Sequence, residues 1–158
     1  MSNLVQRVNL YPCPVSMRNL TTSKQSAGTG LDIKDGVATI TPGSAPIPYA
    51  YFTMTGLTPG APLTFHCTLE YLGDWADGDT AVCFYRRDWG TLHVDWTKGE
   101  GTDVTAQFTV PHDGYLYFRF WARGDGLKVS GINIESTSTF DKSLPFFYHG
   151  TMPYPRSA

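Results

Sequence analysis

The side chains able to do chemistry concentrate in the middle of the chain. Glu70, Asp74, Asp77, Asp79, Asp88, Asp95 and Glu100 are its carboxylates. Two such groups at a fixed separation would be the machinery of glycoside hydrolysis, and Asp74, Asp77 and Asp79 together offer oxygens to a calcium ion. No pair is singled out, however, and the calcium spacing is incomplete. Asp in Gly-rich turns also commonly accepts bonds from its own backbone. His66, His93, His112 and His149 are scattered, without His-x-x-x-His or Cys/His spacing, so no metal is expected. No Ser or Cys sits in a Gly-x-Ser-x-Gly context. The expectation is a protein with no catalytic residues, no cofactor and no enzymatic activity.

Binding chemistry is better represented. Aromatic residues make up 14% of the chain, enough to supply a surface as well as a core. In Tyr115-Leu116-Tyr117-Phe118-Arg119-Phe120-Trp121, the residues Leu116, Phe118 and Phe120 fall on one face of a strand. Tyr115, Tyr117, Arg119 and Trp121 fall on the other. That second face reads either as a platform for a sugar ring or partner, or as a face covered by the C-terminal tail or a neighbouring subunit. Trp75, in Gly73-Asp74-Trp75-Ala76-Asp77-Gly78, and Trp89, in Arg87-Asp88-Trp89-Gly90, each combine an indole with a nearby carboxylate. The indole can stack on a pyranose while the carboxylate accepts hydroxyl bonds; the alternative is that each caps an open end of the core.

The elements that would carry these residues are strands. Leu63, Phe65, Cys67, Leu69 and Tyr71 alternate with polar residues, as do Val104, Ala106, Phe108 and Val110. Further runs at 36–41, 48–54, 80–87, 91–96, 115–122 and 127–135 bring the total to about eight strands, a sandwich number. Asp35-Gly36, Asp113-Gly114 and Asp125-Gly126 supply turns between them. Leu127 and Val129 are apolar at odd positions, but Ile132 and Ile134 at even ones, which predicts a β-bulge at Ser130-Gly131. Leu4, Val5, Val8 and Leu10 suggest a first strand, and 19–30 reads as a loop. The fold expected is all-β, an antiparallel sandwich over 1–138, with an extended C-terminal tail over 139–158. The tail's Phe140, Phe146, Phe147, Tyr148 and Tyr154 are too apolar for a solvated terminus, and suit packing on its own domain or on a neighbouring subunit.

Composition narrows the partners. A formal charge of -2 without a basic cluster argues against nucleic acid or an anionic membrane. Cys13, Cys67 and Cys83 make an odd set without Cys-x-x-Cys spacing, which reads as reduced thiols made in a cytoplasm. The N-terminal residues lack a signal-peptide apolar run, so ordinary secretion is not expected.

Two stretches carry a resemblance. Asn9-Leu10-x-Pro12-x-Pro14, Gly56-Leu57-Thr58-Pro59-Gly60, and Phe108-Thr109-Val110-Pro111 before Gly114 resemble jelly-roll sandwiches of the galactose-binding and carbohydrate-binding-module type. Thr139-Phe140-Asp141-Lys142-Ser143, followed by Phe147-Tyr148-His149-Gly150-Thr151-Met152-Pro153, is similar to the end of minor tail proteins of phages infecting Gram-positive actinobacteria. In those, Phe-Asp-Gly-Asp precedes Tyr-x-Trp-x-Gly-Thr-Pro. Phe140, Asp141, Gly150 and Thr151 match, while Lys142 replaces a Gly, Tyr148 replaces a Trp, and Met152 intervenes before Pro153. The resemblance implies a jelly-roll virion protein, a minor tail or tail-tip component released by lysis. Its implied partners are other virion proteins, further copies of itself and host cell-surface carbohydrate. A stand-alone carbohydrate-binding module and a capsid decoration or head-fibre protein are the alternatives.

Overall fold

The computed structural model describes residues 4–90, 95–141 and 150–155, with side chains for 7–90 and 95–141. Eleven strands are present among these residues: β1 (Leu4–Asn9), β2 (Gly30–Lys34), β3 (Val37–Thr41), β4 (Tyr49–Met54), β5 (Pro62–Leu72), β6 (Thr80–Tyr85), β7 (Trp96–Thr97), β8 (Asp103–Thr109), β9 (Leu116–Trp121), β10 (Gly126–Ser136) and β11 (Gly150–Pro155). A single 3-10 turn, Lys98–Glu100, is the one helical element described.

The strands form a five-stranded sheet in the order β2-β3-β10-β5-β8, a four-stranded sheet in the order β4-β9-β6-β7, and a separate β1-β11 ribbon. Every pairing is antiparallel. From β3 to β10 the pairs are nested: β6 with β7, β5 with β8, β4 with β9 and β3 with β10. One long hairpin, rolled so that alternate pairs fall in opposite sheets, gives this arrangement, which is a jelly roll. Seven of its eight strands are those that the alternating pattern predicts; the run expected at 91–96 meets β7 only at Trp96, and 91–94 lie outside the described residues. β2 is additional; it is a short hairpin partner of β3 across Asp35-Gly36, whose φ angles of 52° and 76° suit a tight turn. The expected loop over 19–30 therefore ends where β2 begins, and Thr21 forms an isolated bridge with Tyr51.

The two sheets meet over an aromatic centre. Phe118 is fully buried, stacks on Phe52 at 4.7 Å and on Phe65 at 5.5 Å, and meets Phe84 edge-on at 5.0 Å. Leu69, Phe108 and Phe120 are buried around it, as their phase in the sequence requires. The three cysteines are buried and unpaired.

The predicted bulge is present. The β10–β5 register shifts between Ser130 and Asn133, and Gly131 has φ 64°. The shift keeps Ile132 and Ile134 in the core and turns Asn133 and Glu135 to the outer side of the five-stranded sheet. β3 pairs with β10 only as far as Ser130. Beyond it, the Asn9 side chain donates to the Ile132 carbonyl (3.0 Å) and accepts from the Ile134 amide (3.0 Å), while the Leu10 amide donates to the Ile134 carbonyl (2.7 Å). The N-terminal segment thus closes an otherwise open strand edge.

One residue pair fixes it further. Arg7 and Glu135 form a buried ion pair, with the Arg7 Nε 3.0 Å from each carboxylate oxygen. Asn133 and Thr139 donate to the same carboxylate, each at 2.7 Å. Phe140 follows directly, its ring 5.7 Å from His66 and 6.0 Å from the Arg7 guanidinium. Phe140 is therefore docked on its own domain. The backbone of 150–155 pairs with β1, from Leu4↔Pro155 to Asn9↔Gly150. Of the two seats expected for the tail, its own Tyr115/Tyr117/Trp121 face or a neighbouring subunit, the first is not where its described residues lie. Phe146, Phe147 and Tyr148 lie outside the described residues, and Tyr154 is described by its backbone alone.

Two stability measurements check this packing. Phe118→Ala should lower the unfolding free energy by about 3–5 kcal/mol in urea titrations, because its four aromatic neighbours cannot close the space. Glu135→Ala should cost roughly 3–5 kcal/mol as well, since it strips the buried guanidinium of its countercharge; a change below 1 kcal/mol, on the order of a surface pair's worth, would place the pair in water instead.

Candidate functional site

The outer face of the four-stranded sheet is made by alternation. Once Leu116, Phe118 and Phe120 point inward, Tyr117, Arg119 and Trp121 must point out. β9 lies between β4 and β6, so its outward residues acquire neighbours from both sides. Tyr49 is opposite Trp121, Tyr51 opposite Arg119, Cys83 opposite Arg119, and Tyr85 opposite Tyr117. The result is a sheet of rings around one guanidinium.

Arg119 sits at its centre and is only 9% exposed. Its guanidinium carbon lies 3.9 Å from the Tyr49 ring centroid, 5.0 Å from those of Tyr85 and Trp121, 5.2 Å from Tyr117 and 6.0 Å from Trp89. These are cation–π distances. Among the described residues its sole hydrogen bond runs from Nη2 to the Tyr117 hydroxyl, at 3.3 Å. Its Nε is buried without a partner, and no described carboxylate pairs with it.

The surrounding rings are held in place. Tyr51 and Tyr117 stack at 4.8 Å and 10°. The Tyr49 hydroxyl donates to Gln25 Oε1 (3.1 Å) and bonds Ser23, so the 22–26 segment grips one edge of the face. Trp89 tops a tight turn in which its own amide donates to the Arg86 carbonyl and the Arg86 amide to the Gly90 carbonyl. Its φ of 66° is unusual for an L residue. That geometry projects the indole edge-on against Tyr117 at 5.2 Å while leaving Trp89 61% exposed.

Four of the residues expected from sequence are thus brought together: Trp89, Tyr117, Arg119 and Trp121. Tyr115 lies at the margin, beneath the Arg87 guanidinium at 4.1 Å. Trp75 lies elsewhere. It is buried at 8% exposure, donates its indole N–H to the Gly126 carbonyl (3.1 Å) and meets Tyr71 edge-on. With so little ring open, it packs the core and offers no stacking surface. Tyr49, Tyr51 and Tyr85 complete the face. Their alternating positions in the 48–54 and 80–87 runs carried the signal, but which strands flank β9 is a tertiary fact.

Several carboxylates have structural employment. Asp79 accepts from the Ala76 amide (3.0 Å), Asp77 pairs with Lys98 (3.3 Å), and Asp88 accepts from the Gly90 amide (2.9 Å). Asp95 accepts from the Cys83 thiol (2.8 Å) next to the aromatic face. A neighbouring cleft of about 470 Å³ is lined by Arg86, Arg87, His112 and Asp113. Its arginines have carboxylate partners, Arg87 with Asp113 at 3.1 Å and Arg86 with Asp88 at 3.6 Å. Arg119 differs from them in being both buried and without one.

No protein-family model matches this chain, and no curated protein sequence matches it.

Burial leaves its mark on acid–base behaviour at the face. It raises the Cys83 thiol from the ordinary 9.0 to about 12, helped by the bond to Asp95. It likewise raises the Tyr85 phenol from 10.0 to about 12 and pushes Tyr117 up further. Because the folded-state values are the higher ones, the unfolded chain loses these protons first. Stability should be unaffected by these groups below pH 9 and should fall as pH climbs from there through about 12. Urea midpoints measured across that alkaline range check the sign, and a flat profile would mean that the face is solvated.

Proposed function

We propose that this chain is a non-enzymatic structural protein of a phage particle, at the tail or tail tip, and that its jelly roll turns the Arg119 face toward host-surface glycan. The observation that carries the glycan contact is that face: clustered rings on one outer sheet surface, with Trp89 held out in solvent by a constrained turn. The exposed Trp89 ring and the half-buried Tyr51, Tyr85 and Trp121 match the apolar face of a pyranose, while the buried Tyr49 and Tyr117 hold the guanidinium beneath them. The virion assignment is supported by the likeness of the 139–153 segment to phage tail-protein ends.

A free carbohydrate-binding module draws on the same aromatic face and is the second reading. Mass spectrometry of purified particles separates the two. The expected result is recovery of the chain in particles at a fixed ratio to the major tail protein, with immunogold label at the tail. Recovery in the soluble lysate alone would overturn the virion reading in favour of the free module, and label on the head would move the protein to a capsid role.

A further inference from the structure

We infer that the saccharide bound at this face is an acidic one, with its carboxylate against Arg119 and its ring on Trp89 or Trp121; this rests on the glycan reading above and specifies its ligand class. The argument begins with the cost of the arginine. Removing a guanidinium from water is unfavourable unless an anion or a full set of acceptors replaces the solvent. Arg7, the other deeply buried arginine, has a carboxylate, a second oxygen of that carboxylate and a shell of donors around it. Among the described residues, Arg119 has ring faces, one long bond to Tyr117 and a buried Nε with no acceptor. Cation–π contact offsets part of that loss, but leaves the guanidinium without the planar oxygen pair that it is shaped to bind.

The chemistry of what is missing follows from what surrounds it. The nearby Asp95 carboxylate is engaged by the Cys83 thiol. A second cation, Arg123, lies over the Trp121 ring at 5.3 Å, so the rim of the face is positive on the side of that indole. An incoming group should therefore be anionic and joined to something flat and partly apolar. A hexuronic acid unites the two in one unit: a carboxylate on a ring whose C–H face fits an indole. The carboxylate and the stacked ring would bind as a pair, each held in position by the other.

Binding of a galacturonic acid tetramer and of its methyl ester to the full chain provides the test, followed by calorimetry and by the indole N–H resonances. The two probes differ in charge and share their sugar rings. The acid form should bind, with affinity that falls as salt rises, and the ester should bind at least about tenfold more weakly. Resonances of Trp89 and Trp121 should move, and those of Trp75 and Trp96, whose indole N–H groups are held by the Gly126 and Gly101 carbonyls, should not. Trp89→Ala, at an exposed position, should weaken the acid form about tenfold without lowering the melting temperature. Arg119→Gln should abolish the preference for acid over ester; should that variant fail to fold, the ester and the Trp89 variant still decide. Equal binding of acid and ester at the same two indoles would overturn the inference while leaving the glycan reading standing. Binding that leaves both indoles unmoved, or no binding of either probe at millimolar concentration, would overturn it as well, and the particle proteome judges the virion reading independently. If a purified virion protein moves those resonances where neither sugar does, the carboxylate comes from protein and the saccharide is ruled out.

Discussion

The bulge at Ser130-Gly131 is the constraint from which much of this molecule follows. A strand as long as β10, paired on both sides, would otherwise carry one uninterrupted alternation. Leu127 and Val129 would then face the core and Ile132 and Ile134 the solvent. One additional residue, accommodated by a glycine at φ 64°, returns both isoleucines to the interior. It also ends the pairing with β3 and leaves two backbone groups that Asn9 satisfies. The same change of phase sets Glu135 on the outer side, where Arg7 can reach it. The N-terminal segment, the path of the chain beyond Ser136 and the docking of Phe140 are all arranged around that one local irregularity.

β9 shows the opposite economy, a strand with no irregularity that serves two environments at once. Its inner residues are the centre of the aromatic core, and its outer residues form the arginine-centred face. Rigidity of the one is therefore transmitted to the other. Phe118 cannot shift without moving Tyr117 and Arg119, so the face is held by the packing beneath it and needs little ordering when a ligand arrives.

Much of this was legible in the residues. Alternation marked seven of the eight jelly-roll strands, and the phase change at Ile132 marked the bulge, because both depend on a period of two that a sequence displays directly. β2 was not marked: Gly30-Leu31-Asp32-Ile33-Lys34 is short, partly exposed and follows a Ser/Thr/Gly-rich stretch. The polar Arg7, Asn9 and Glu135 gave no sign of meeting, since their partnership joins distant parts of the chain. The candidate face was half visible. Tyr117, Arg119 and Trp121 share one strand, whereas Tyr49, Tyr51 and Tyr85 join them only through strand order. Trp75 and Trp89 occupy similar Asp/Gly contexts, yet one turn folds its indole inward to the Gly126 carbonyl and the other holds it outside. Local composition does not separate those outcomes.

The nested pairing has a consequence for how the chain reaches this state. β6 and β7 are near neighbours in sequence, whereas β5 with β8, β4 with β9 and β3 with β10 close successively larger loops. Each closure costs chain entropy that grows with the length enclosed, but a pair already formed inside shortens the free segment for the next. Assembly from the innermost hairpin outward is thus the path of least entropic resistance. Such a topology folds slowly by the standards of small domains, and its outermost strands, β3 and β10, close last. The bulge and the N-terminal clasp sit on β10, so the features that seal the molecule are also those that must wait for everything within them.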